Sequence, residues 1–150
     1  MEKELYLSSS NEDTQELAKK LISNIKSGGV ICLYGPMAAG KTTFTQGIGL
    51  SLGLSRVTSP TYLIMKEYLL VDHPFLKRLY HLDLYRIGAS EEIKAFDLEE
   101  IWSNPENLVL IEWPEIIGDL LPDRRIDISI KPTSQNERQI TINNHTISSS

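Results

Sequence analysis

The chain has 150 residues, 41% of them hydrophobic and 23% charged, a composition that suits one soluble globular domain with a buried core. A net charge of -5 and an isoelectric point near 5.2 exclude a protein that holds nucleic acid by bulk electrostatics, so any RNA contact is local or passes through a partner. Cys32 is the single cysteine, which excludes an internal disulfide and suits a reducing compartment.

The opening MEKELYLSSS mixes both charges and does not read as a secretion signal, and no apolar run reaches the length of a membrane span. A cytoplasmic location is expected. His73, His81 and His145 are scattered without metal-ligand spacing, so no zinc site is expected. The whole chain, 1–150, reads as one domain with a flexible tail from about residue 144.

Residues 5–7 read as a short strand. Asn11 has the character of an N-cap, with Glu12 and Asp13 placing negative charge in the first turn of a helix. Leu17, Leu21 and Ile25 recur every fourth residue, which carries that helix to about Lys26, where Gly28 and Gly29 end it. The apolar run 30–33 is a buried strand, and it makes Cys32 a core residue rather than a reactive thiol.

Gly35 to Thr42 then spells G-x-x-x-x-G-K-T between that strand and a helical pattern. Glycine at both ends of the motif lets the backbone point several N–H groups at one anion, so the cradle is made of main chain. Lys41 opens the helix and can reach the β- and γ-phosphates of a nucleotide, beside the partial positive charge of the helix N-terminus. The Thr42 hydroxyl is the group expected to face Mg²⁺. Gly35, Ala38, Ala39, Gly40, Lys41, Thr42 and Thr43 are therefore the candidate nucleotide-binding residues of the loop. In the helix, Phe44, Ile48 and Leu52 share a face, while Gly47 and Gly49 each cost roughly 1 kcal/mol against alanine and imply a close neighbour. Gly53 is its stop.

RVTSPT at 56–61 is extended because Pro60 pushes Ser59 away from helical angles. Residues 62–68 alternate as a strand, Asp72, His73 and Pro74 turn, and 79–85 form another strand with Leu79, His81, Asp83 and Tyr85 on one side. Ser90 with Glu91 and Glu92 reads as an N-cap, and Asp97 with Glu100 as a capping box, giving two short helices. The run 108–111 is a parallel strand covered on both faces, with Glu112 at its end. Ile126, Ile128 and Ile130, then Ile140 and Ile142, make an antiparallel pair. The fold class is α/β, a P-loop NTPase-like three-layer sandwich with a mainly parallel central sheet and antiparallel strands at the C-terminal side.

Ligands of such sheets lie beyond the C-terminal ends of the strands. Glu112 stands where phosphate-loop proteins keep a Walker B acid for the metal, or it is a solvated carboxylate at a strand end. Asp83 is a second metal ligand, the group that positions water, or half of an ion pair with Arg86. Thr61 touches metal or γ-phosphate, or else caps the turn near Pro60. Trp113 flanks the nucleotide or belongs to the core. The basic pairs Lys77 with Arg78 and Arg124 with Arg125 are solvated surface or local RNA contacts.

GPMAAGKTTFTQG at 35–47, VTSPTY at 57–62, HLDLYR at 81–86 and IEWPE at 111–115 together resemble the TsaE (YjeE) family of bacterial ATPases, from about Thr14 to Ile142. The resemblance implies ATP hydrolysis with Mg²⁺ in the making of the threonylcarbamoyl modification on the adenosine beside the anticodon of ANN-decoding tRNAs. It implies partners of the TsaD and TsaB type, which carry out the transfer while the ATPase resets their complex. By the same resemblance Lys41 and Thr42 bind phosphate and Mg²⁺, Glu112 contributes to the metal site, Asp83 and Thr61 serve turnover, and Thr14 and Arg138 lie near the nucleotide. Ala38 departs from the family, which commonly has glycine there. Two other functions use the same loop: a stand-alone small-molecule kinase and a nucleotide-sensing module that hardly turns over. Against the kinase, the chain is short for a second substrate pocket and carries no obvious arginine-rich lid.

Overall fold

The computed structural model of the chain describes residues 2–36, 40–58, 65–85 and 97–145. Ala38, Ala39, Thr61, Arg86, the expected cap at Ser90 and the tail 146–150 lie outside the described residues. Seven strands form one sheet in the order β1-β7-β6-β2-β5-β4-β3. They are β1 (Glu2–Ser8), β2 (Gly29–Tyr34), β3 (Met65–Leu69), β4 (Arg78–Asp83), β5 (Asn107–Glu112), β6 (Ile126–Pro132) and β7 (Arg138–Asn144). Among the described residues the helices are α1 (Asn11–Asn24), α2 (Lys41–Ser51) and α3 (Leu98–Ser103), with 3₁₀ turns at Pro114–Ile116 and Gly118–Leu120.

The four central strands, β6, β2, β5 and β4, run parallel, and every described residue of β5 is buried as expected for a strand covered on both faces. The expected antiparallel pair β6–β7 is present. The antiparallel part is wider than expected, since β3 pairs with β4 at one edge and β1 pairs with β7 at the other. The C-terminal strand also runs through Asn144, and His145 N–H donates to the Arg125 carbonyl at 2.8 Å, so order extends past the expected start of the tail.

One apolar core lies between the sheet and the helix pair α1 and α2, and is built from Ala18, Ile22, Phe44, Ile48, Leu79, Leu110 and Ile128 among others. The opposite face carries a second core of Val30, Cys32, Leu82, Val109, Ile111 and Ile117, capped by Leu98 of α3. Three layers result. Burial pushes the Cys32 thiol far above its ordinary value, with Asp127 adding to the effect, so this thiol is inert core. Gly47 is the close neighbour its cost implied: a Cβ there would sit 2.8 Å from the Ala18 Cβ and 2.9 Å from the Gln15 Cα, so glycine sets the α1–α2 crossing.

Three local expectations are corrected. The N-cap of α1 is Ser10, not Asn11. Its Oγ accepts the Asp13 N–H at 3.0 Å while Asp13 Oδ2 accepts from the Ser9 N–H at 3.1 Å, a reciprocal pair; the Ser9 hydroxyl, donating to the same Oδ2 at 2.8 Å, is the chief cause that holds the Asp13 carboxyl below its usual range, with the Ser9 N–H next. Helix α1 ends at Asn24 because Ile25 turns to extended backbone, and Gly29 is already the first residue of β2. Asp97 does precede α3, but its side chain caps nothing and instead meets the Glu100 carboxyl, raising the pKa of Glu100. Like charges at the helix start replace the expected capping box.

Candidate functional site

The C-terminal ends of β2, β4 and β5 open toward the start of α2, which puts Gly35, Asp83 and Glu112 at one end of the parallel sheet. Gly35 has φ 148° and Gly40 has φ 106°, both in the region that side chains disfavour, so each motif glycine is required by the backbone it adopts. Gly40 is the N-cap of α2 and accepts the Phe44 N–H at 3.0 Å. Lys41 follows it, with Thr42 exposed and Thr43 half-buried in the first turn.

Lys41 is 6% exposed, and its ammonium has no hydrogen-bond partner among the described residues. Leaving such a donor unpaired costs about 1–3 kcal/mol or more. Its nearest compensation is the Trp113 ring, whose centroid lies 3.9 Å from Nζ. Trp113 is the one non-glycine residue with positive φ, 61°, among the described residues, and Tyr85 packs against its ring at 5.0 Å between centroids. A buried cation held only by an aromatic face fits an anion that would arrive beside it.

Glu112 is buried, which removes the alternative of a solvated carboxylate. Its Oε2 lies 2.6 Å from His81 Nε2, and His81 is 1% exposed. Asp83 is the Cα partner of Glu112 across β4 and β5, and its Oδ1 accepts the Tyr85 N–H at 3.1 Å. Among the described residues no three His, Cys, Asp or Glu side chains converge as a metal cluster. A phosphate-bound Mg²⁺ asks for less, since it keeps several waters and takes one or two protein oxygens.

Thr14 and Arg138, which only the family resemblance suggested, come to the other side of the loop. Arg138 lies over Gly40 so closely that a Cβ there would be 2.9 Å from its Cδ and Nε. Its Nη1 donates to Thr14 Oγ1 at 3.3 Å, its Nη2 to Asn11 Oδ1 at 3.1 Å, and Thr14 Oγ1 shares a 2.7 Å bond with Ser8 Oγ. Asn11, freed from capping, helps to hold the guanidinium.

Sequence reasoning brings the segment 81–86 to the site without giving His81 a role, and it missed Asn11. For His81 a signal existed, a polar residue on the same strand face as Asp83 within an apolar run; Asn11 had none, because its partner is 127 residues away. Arg78 is ion-paired with Glu67 at 3.5 Å and Arg125 with Asp127 at 3.0 Å, which favours the surface reading. A cavity of about 760 Å³, lined by Leu21, Ile25, Val30, Trp102 and Ile126, lies at the opposite end of the parallel strands from the loop. Among the described residues no helix is long and apolar enough to cross a membrane.

Residues 8–140 match the family described as threonylcarbamoyl adenosine biosynthesis protein TsaE. The chain is 39% identical over 131 residues to the tRNA threonylcarbamoyladenosine biosynthesis protein TsaE of Bacillus subtilis, covering 87% of this chain and 78% of that one. It is 37% identical over 121 residues to the protein of the same name from Borreliella burgdorferi, covering 75% of this chain and 85% of that one. The crystal structure of Bacillus subtilis YdiB superposes with a TM-score of 0.78 at 33% identity, covering 96% of this chain and 86% of that one.

Proposed function

Because the chain belongs to the TsaE family of threonylcarbamoyl adenosine biosynthesis proteins, we propose that its part in that pathway is to bind and hydrolyse ATP with Mg²⁺, as an accessory to the proteins that carry the modification to tRNA. The observation that carries this reading is the buried Lys41 ammonium without a hydrogen-bond acceptor among the described residues, at the start of a helix and behind two glycines with positive φ. Backbone N–H groups, a helix N-terminus and one lysine make a phosphate site.

In this reading Lys41 takes the β- and γ-phosphates, Thr42 and Glu112 would hold Mg²⁺, and the ion would neutralise charge that builds on the transferred phosphoryl group. Ala38, Ala39, Gly40 and Thr43 line the phosphates, while Thr14 and Arg138 bind from the α1 side and Trp113 from the β5 side. Asp83, at the rim of the sheet beside Glu112, orients the attacking water, and Thr61 approaches the γ-phosphate. Partners of the TsaD and TsaB type receive the conformational step, in the cytoplasm. An acidic subunit that docks on proteins has no need of strong RNA binding of its own.

The test is steady-state phosphate release from Mg·ATP by the purified chain, alone and then with TsaD, TsaB and tRNA. The expected result is weak release alone that rises in the complex and vanishes, together with ATP binding, in Lys41→Ala. Release that no partner changes, or that only small-molecule acceptors stimulate, would turn the reading to the kinase.

A further inference from the structure

We infer that His81 is a positioning residue of this site, whose Nε2–H holds the Glu112 carboxylate in place and thereby sets how tightly Mg²⁺ is held with the nucleotide. The inference rests on the reading of Glu112 as a metal acid.

The geometry allows few other roles for His81. An ionised carboxylate only accepts, so the 2.6 Å contact puts the imidazole proton on Nε2. Nδ1 is then left as a buried acceptor, and it has no partner among the described residues. Burying an unpaired polar atom costs about 1–3 kcal/mol. The neighbours on the same strand face, Leu79 before it and Leu110 opposite it, show what this position would hold if packing were its only task. Glu112, for its part, has no cationic partner among the described residues, since the Lys41 ammonium faces the Trp113 ring. His81 is the one donor to its carboxylate, and the second oxygen, Oε1, carries no hydrogen bond among the described residues. One oxygen is fixed and the other is left for a ligand, the arrangement by which outer residues orient metal-binding carboxylates.

The test is calorimetric titration of ADP at increasing Mg²⁺, with phosphate release measured in parallel, on the full chain and on Glu112→Gln, His81→Leu, His81→Gln and His81→Asn. Glutamine can place an amide N–H near the position of Nε2, whereas asparagine reaches only as far as Nδ1. The expected result is that His81→Leu raises the half-saturating Mg²⁺ at least about 10-fold, while ADP binding without Mg²⁺ stays within about twofold. Glutamine should recover most of the loss, and asparagine little of it.

A leucine variant with the magnesium dependence of the native chain overturns the inference. So does an equal shift in all three His81 variants accompanied by a lower Tm, which would make His81 a packing residue. Should His81→Leu fail to fold, the glutamine and asparagine variants decide, and equal behaviour of the two overturns it. If Glu112→Gln leaves the magnesium titration unchanged, the metal reading of Glu112 fails and the inference falls with it. If Glu112→Gln shifts the titration and His81→Leu does not, the inference alone fails.

Discussion

The sheet carries two histidine–carboxylate pairs whose surroundings differ. Asp127, on β6, gives one oxygen to Arg125 Nε at 3.0 Å and the other to His145 Nε2 at 3.1 Å, with about a fifth of each side chain open to solvent. His145 is bound again through its backbone to Arg125, so the cluster closes on itself and fastens the end of β7 to β6. Glu112 is more deeply buried, yet among the described residues only one of its oxygens is engaged, by a histidine whose second nitrogen has no partner there. A carboxylate with both oxygens engaged inside the protein is a fastening. One kept half-filled where burial is costlier is held ready for something from outside.

The contrast can be broken or sharpened by substitution. The largest effect is expected at the rim of the Glu112 pair: under the proposed role of Asp83 in orienting water, Asp83→Asn should bind ATP normally and lose at least about 100-fold in turnover. Equal loss of binding and turnover would make Asp83 structural instead. Next, Glu112→Ala should lower the unfolding free energy by about 2 kcal/mol in denaturant titration, since it strands the buried His81 N–H. Asp127→Ala should cost under about 1 kcal/mol in the same assay, because its partners are partly open to water, which can replace the lost bonds. If the two losses are equal, burial is not what distinguishes the pairs.

The smallest effect belongs to the third histidine. His73 Nδ1 accepts the N–H groups of Phe75 and Leu76 at 3.3 and 3.0 Å, and burial holds its pKa below the usual 6.5. The folded state therefore favours the neutral ring. Its contribution is fully present above pH 6.5 and is lost as the pH falls through 6.5 toward the lower folded value, where the unfolded chain takes up the proton first. The Tm of the native chain should fall more than that of His73→Asn between pH 7.5 and 5; parallel curves would remove His73 from the stability balance.

Local features of this molecule could be read from residue types. The glycines at 35 and 40 do adopt positive φ, the helix does open on Lys41, and the apolar run ending in Glu112 is a parallel strand buried along its length. What escaped reading depends on pairings set by topology. The choice between Ser10 and Asn11 as cap turned on a neighbour's carboxylate, Asp13, and on Arg138 arriving from β7. The role of His81 could not be seen before β4 and β5 were known to be adjacent, and periodicity places a residue on a face without naming what stands beside it. The β1–β7 pairing was illegible for the same reason, because residues 5–7 carry no mark of their partner.

That pairing, Glu2 with Asn144 through Ser8 with Arg138, also has a consequence for the order in which the protein is made. On a ribosome adding roughly 5–20 residues per second, β1 emerges before the other described strands and waits on the order of ten seconds for β7, its partner in the sheet. Meanwhile Leu5 and Leu7, exposed even in the finished fold, and a bare strand edge stand open to chaperones or to another nascent chain. Arg138 arrives on that same late strand. The guanidinium that lies over Gly40 is therefore in place only near the end of synthesis, so any ligand contact it makes belongs to finished molecules rather than to growing ones.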